Sequence, residues 1–143
     1  MAIFLREDDV QRFLPIVEAI EAVEQGFKEQ GSGTGVNLPR TRTQAGGMGV
    51  TMMVAVLGER GVAGFKAMGA GGPLVMLYGG EPRQLLAVIE AGMLGQIRTG
   101  AASGVATRHM ARGNASSIGI IGTGYQARTQ LAAVCAVRSI KTV

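Results

Sequence analysis

Ser116-Ser-Ile-Gly-Ile-Ile-Gly-Thr-Gly-Tyr-Gln-Ala127 is the stretch on which the reading of this chain turns. Ile118, Ile120 and Ile121 form the short apolar run of a buried parallel strand, and Gly122, Gly124 and Ala127 follow at the spacing Gly-x-Gly-x-x-Ala. At that spacing the first glycine permits a tight turn and the second lets a pyrophosphate approach the backbone. The small third residue lets a helix pack close to the strand, with its N-terminus toward the phosphates. The pattern has two readings, a dinucleotide cradle or a plain strand-to-helix turn. Its context favours the first. Residues 125–137 carry a helical stripe of Leu131, Val134 and Cys135, and Ile140 to Val143 resumes strand character, the opening of a β-α-β unit. The residue that reads the ribose falls about 20 positions beyond the glycines, so it is expected past Val143, and the chain reads as a piece cut just inside its second domain.

Immediately before this turn, Gly113-Asn-Ala-Ser-Ser117 marks a boundary, and a helix is expected from about Ala91 to Ala111. Ala101, Ala102, Ser103 and Gly104 make one of its segments small enough for a backbone or a ligand to approach. Arg98 shares a helical face with Ala102, and Thr99 with Ser103, which groups a guanidinium with two hydroxyls; a plain surface arginine is the other reading.

Further back, Val62 to Met68 and Thr51 to Leu57 read as a β-hairpin around Gly58-Glu-Arg-Gly61, with more strands at Leu74 to Tyr78, Leu85 to Ile89 and Ile3 to Leu5. Lys66 shares a strand face with Val62, Gly64 and Met68, so its ammonium must snorkel to solvent or meet an anion. Arg40 and Arg42 lie two apart in extended chain and point the same way. A helix entered at Pro15 carries Ile16, Ile20, Val23 and Phe27 on one face and stops at Gly31, and its Glu18, Glu21 and Glu24 read as a solvated stripe.

Composition narrows the function classes. Hydrophobic residues make up 47% of the 143 positions, yet the longest uncharged run, Thr43 to Gly58, is broken by glycines and too short for a membrane span. Arg6, Glu7, Asp8 and Asp9 interrupt any signal-peptide core, and a single cysteine fits a reducing compartment, so a cytoplasmic location is expected and no membrane partner. One cysteine and one histidine do not make a zinc site, and no metal is expected; Cys135 reads as a core thiol and His109 as a helix-end residue facing solvent. The net charge is +4, with every carboxylate at or before Glu90. The basic residues beyond it are scattered and aromatic residues are few, so no nucleic-acid partner is expected, whereas a phosphate-rich coenzyme would suit this balance.

The chain resembles the ornithine cyclodeaminase and mu-crystallin family along its length. The resemblance rests on the opening Glu-Asp-Asp-Val, Glu-Ala-Ile-Glu-Ala-Val-Glu at 18–24, Pro39-Arg40 and Gly64-Phe-Lys66. Its most specific parts are Leu94-Gly-Gln-Ile-Arg-Thr-Gly-Ala-Ala-Ser103 and Ile120-Ile-Gly-Thr-Gly-Tyr-Gln-Ala127. It implies an α/β protein: residues 1–114 as an α+β substrate-binding and dimerisation domain, and residues 115–143 as the first β-α and second-strand start of a Rossmann domain. It further implies that Arg40, Lys66 and Arg98 hold the carboxylate of a small amino or imino acid, with Lys66 able to donate or accept a proton. Bidentate guanidinium forks suit that task, and a lysine in a drying pocket can shift its pKa. Arg98, Thr99, Gly122, Thr123, Gly124, Tyr125, Gln126 and Ala127 are implied to surround NAD or NADP.

The implied chemistry is hydride transfer through an imine, as cyclodeamination, amino acid dehydrogenation or ketimine reduction, in a homodimer. The family's catalytic aspartate would fall beyond Val143, so the 143-residue stretch alone is expected to be inactive. Only Ala67 to Pro73 separates Lys66 from Leu74, shorter than in many relatives. Leu74 stands where cyclodeaminases tend to have threonine, and Gly92 replaces a common acid. These departures point away from ornithine as substrate. The alternative to an enzyme is a non-catalytic, crystallin-like ligand binder or a non-functional truncated product.

Overall fold

A computed structural model describes all of residues 1–143, as four helices and one seven-stranded, mostly antiparallel sheet. The residues group into two compact units, one of Met1–Gln11 with Gly26–Leu94 and one of Arg12–Gln25 with Gly95–Val143. No helix is long and apolar enough to cross a membrane.

The first unit is the sheet. Its strands are β1 (Ile3–Leu5), β2 (Gly35–Asn37), β3 (Thr41–Ala45), β4 (Met48–Leu57), β5 (Val62–Gly69), β6 (Gly72–Gly79) and β7 (Gln84–Glu90). β4 to β7 form an antiparallel meander, β1 joins β7 in parallel, and β2 and β3 follow one another along the outer edge of β4. The hairpin expected at Gly58 to Gly61 is present; Gly61 supplies the left-handed φ of 62° that a side chain would resist. Because facing residues share a side of the sheet, the register sorts the strands into two faces. One rank runs Phe4, Val88, Met76, Phe65, Val54, and the next, on the opposite face, runs Leu5, Ile89, Val75, Lys66, Met53. Also in this unit is α1 (Glu7–Phe13) up to Gln11. Glu7 makes it the N-terminal lock of the later helix α3 (Gly92–Met110): its carboxylate accepts the Gly92 N–H at 2.7 Å and the Met93 N–H. Two of the donors that a helix start leaves unpaired are thereby satisfied.

The second unit is helical. It holds the first turns of α2 (Ile16–Ser32), most of α3 and all of α4 (Ala127–Val137). Its core is Ala19, Ile20, Ile97, Ala101, Val105 and Ala133. The small residues of α3 serve backbone approach: a Cβ on Gly100 would stand 2.4 Å from the Thr129 carbonyl oxygen, and one on Gly104 would stand 2.9 Å from Ile20. Past the end of α3, the Arg138 guanidinium donates to the carbonyls of Arg108, Ala111 and Arg112, tying the last turn of the helix to the turn that follows it.

Three expectations are corrected here. Glu24 is not on a solvated stripe: it is buried and pairs with Arg108 and with His109, whose Nε2 lies 2.9 Å from its Oε1, while Glu21 takes the other arm of Arg108 at 2.6 Å. Cys135 is exposed, because α4 turns Ala133 toward Gly104 and leaves Cys135 outward, with Leu131 and Val134 only half-buried. Residues 118–123 form no strand ladder. The segment carries no regular secondary structure and is tied at its start by a parallel bridge between Ser117 and Thr142, and Ile121 is fully exposed.

Candidate functional site

In the sheet unit, Lys66 sits in the middle of β5 with Met53 and Val75 as its cross-strand neighbours. This rank and the next, Asn37, Ala55, Gly64 and Leu77, wall a cavity of about 270 Å³. Gly64 is required by the sheet itself, since a Cβ there would come within 2.6 Å of the Met76 carbonyl oxygen. The cavity is apolar apart from Asn37 and Lys66. A cation so surrounded is stabilised by an anion. Arg40 is exposed in the short connection between β2 and β3 and is not among the cavity-lining residues; the segment runs along β4, the Leu38 N–H donating to the Val54 carbonyl at 3.0 Å.

In the helical unit, Arg98 is exposed on α3. The Thr99 hydroxyl donates to the Gly95 carbonyl at 2.6 Å, so its proton is spent inside the helix and its lone pairs remain as acceptors. The glycine turn is open. Gly122 has φ 99°, a conformation that side chains resist, and a Cβ on Gly124 would meet nothing within 4 Å. Packing within the chain therefore does not explain why Gly124 lacks a side chain, and the open backbone leaves room for a ligand to lie against it. The turn leads into α4, whose N-cap, Gln126, makes no side-chain capping bond. The first-turn N–H groups of such a helix face outward with the positive end of its dipole, and the residues present fit a pyrophosphate. Thr123 and Tyr125 are exposed on the turn, and Ala127 starts the helix with its N–H bonded to the Gly124 carbonyl at 3.0 Å.

One contributor lay inside a quoted motif but was given no role of its own. Gln96, buried on α3, donates its side-chain amide to the Tyr125 carbonyl and so fastens the glycine turn to the helix. Its trace in the sequence is an amide among small and apolar neighbours at the start of the Leu94 to Ser103 motif. The Arg108 cluster is structural. The hydrogen bond to Glu21 raises the guanidinium pKa above its ordinary value, opposed by partial desolvation and reinforced by Glu24.

Comparison with known proteins follows the same lines. A profile described as Ornithine cyclodeaminase/mu-crystallin family matches residues 2–143. A Delta(1)-pyrroline-2-carboxylate reductase of Bacillus cereus is 51% identical over 70 residues, covering 49% of this chain and 22% of that protein. The Thermococcus litoralis Delta(1)-pyrroline-2-carboxylate reductase, solved with NADH and L-proline, superposes with a TM-score of 0.85 at 33% identity, over 96% of this chain and 47% of that one. An archaeal alanine dehydrogenase dimer with bound NAD gives 0.86 at 31% identity, over 97% and 46%. The chain thus spans about half the length of these solved relatives.

Proposed function

Because the chain belongs to the ornithine cyclodeaminase/mu-crystallin family, we propose that it is the N-terminal part of a nicotinamide-dependent enzyme that exchanges a hydride with a small amino or imino acid. The observation that carries this reading is the glycine turn, with Gly122 at positive φ, open space at Gly124 and a helix start without a side-chain cap. Relatives solved with NAD or NADH support it.

When bound, the coenzyme supplies the hydride donor or acceptor. The chain supplies orientation and charge. Gly122, Thr123, Gly124, Tyr125 and Gln126 would hold the pyrophosphate by backbone N–H groups, with Ala127 as the small residue that starts the helix beside it and Thr99 and Arg98 as further contacts. Gln96 keeps that turn in register with α3. Lys66, Arg40 and Arg98 are the proposed carboxylate anchors. Lys66 also holds or passes the proton at the substrate nitrogen: reduction of an imine takes one hydride at carbon and one proton at nitrogen, and oxidation returns both. Residues 1–114 form the substrate and dimerisation domain in this reading. Residues 115–143 begin the coenzyme domain, a role supported by the parallel Ser117–Thr142 bridge around α4. Self-association would cover the exposed apolar face of the sheet that carries Val54 and Leu74.

The test is Lys66→Met in the full-length protein. Turnover of amino and imino acids should fall by at least about tenfold while coenzyme affinity stays within about twofold. Equal loss of both contradicts the assigned role.

A further inference from the structure

Gln96, Gly100 and Gly104 lie four apart on one face of α3, and each meets a position 29 residues further along the chain. Gly104 lies against Ala133, Gly100 against Thr129 and Gln96 against Tyr125. The constant offset means that α4 runs parallel to α3 with its turns in step. At the two glycine rungs the α4 backbone comes in close. The third rung lies beyond the start of α4, where the glycine turn stands, and there the buried amide of Gln96 spans the gap and donates to the Tyr125 carbonyl.

The neighbouring carbonyls are held from within the turn and its helix. Gly124 accepts the Ala127 N–H at 3.0 Å, and Gln126 accepts the Gln130 N–H and the Thr129 hydroxyl, both at 3.1 Å. Tyr125 is fastened by α3 instead. The Tyr125–Gln126 peptide is trans, so its carbonyl and its N–H point in opposite directions. Holding the carbonyl toward α3 turns the Gln126 N–H away from that helix, outward with the exposed residues 122–125.

We propose that Gln96 is a positioning residue for the coenzyme: through the Tyr125 carbonyl it presents the Gln126 N–H to a pyrophosphate lying on the turn. The proposal rests on the reading of that turn as a coenzyme cradle given above. Without the amide, the peptide is free to rotate until its carbonyl meets water. Coenzyme affinity then falls in proportion to the turns that still present the N–H.

The test is calorimetry on the full-length protein with whichever of NADH and NADPH it binds, and with ADP-ribose carrying the matching 2′ group, which keeps the pyrophosphate and lacks the nicotinamide. Gln96→Met preserves the length of the side chain and removes the donor. Kd for both ligands should rise roughly tenfold with the stoichiometry unchanged. A lower stoichiometry at the native Kd is a loss of folded protein alone and overturns the proposal, as does a loss confined to the dinucleotide. Native protein that binds neither coenzyme overturns the coenzyme reading and this proposal with it, whereas native binding that Gln96→Met leaves intact overturns this proposal alone. If Gln96→Met does not fold, the native protein decides: hydrogen exchange at the Gln126 N–H should slow by roughly tenfold or more when coenzyme saturates the site, and unchanged exchange overturns the proposal.

Discussion

Ala101 and Ala133 in the helical unit have no exposed surface, whereas Val54, Val56, Leu74 and Tyr78 on the sheet each keep more than a third of theirs. Both regions are rich in apolar residues, but they use them differently. The helices close on themselves because glycine and alanine let backbones meet, so their core is small in volume and intolerant of added atoms. On the sheet, large apolar side chains are displayed on a face that the unit leaves open. Apolar content alone therefore does not locate a core. The size of the residue, and what a Cβ would strike, separate a surface the chain has sealed from one it presents.

The largest expected effect breaks that comparison on the helical side. Gly100→Ala drives a Cβ into a backbone carbonyl, which cannot rotate away, and should cost about 1–3 kcal/mol or more, read as a fall in the urea midpoint. A loss below about 0.5 kcal/mol, the range of an ordinary surface change, would mean that α3 and α4 are not in close contact. Next is Arg138→Ala, which strips the guanidinium from three carbonyls and should cost about 1–2 kcal/mol; Arg138→Lys keeps the charge but not the fork and should recover well under half of this. Glu7→Ala probes the other end of α3 and should cost about 0.5–2 kcal/mol, with Glu7→Gln in between. Val54→Thr, on the open face, should change the stability of the chain by less than about 0.5 kcal/mol while weakening self-association in sedimentation. An unchanged association state would remove that face from the proposed dimer.

The smallest expected effect is a null. The folded pKa of Arg108 is raised, so its contribution is complete below the unfolded value and is lost only as pH rises through the folded one. Urea midpoints of the protein and of its Glu21→Gln variant should therefore run parallel through the neutral range. A slope difference there would assign the titration to other groups.

Local chemistry made most of the fold legible. Alternation and the Gly58–Gly61 turn marked the β4–β5 hairpin, and the apolar period of Ile16 and Ile20 marked α2. What escaped was whatever depended on a partner distant in sequence. Glu24 looked like solvent because its partners, Arg108 and His109, lie 84 and 85 residues away. Cys135 looked buried because hydrophobicity was weighed above size, and the helix crossing selects for size. Ile118 to Ile121 looked like a laddered strand, but it is tied at its start by the bridge at Ser117. In the candidate site, Lys66 was visible as a cation in an apolar strand, and the glycine turn by its spacing. The walls beside Lys66 were not, since they depend on the register of three strands. Gln96 stood within the Leu94 to Ser103 motif, but its role was hidden because its partner, the Tyr125 carbonyl, lies 29 residues away.

Arg138 also bears on the order of folding events. The carbonyls it closes precede it by 26 to 30 residues, with the whole of α4 in between. On a growing chain, α3 is therefore made before the group that ties its end to the following turn exists, and that tie forms only once α4 has docked. It is a late, non-local step, so the slow phase of hydrogen exchange in residues 107–111 should report on α4 docking and not on α3's own propensity.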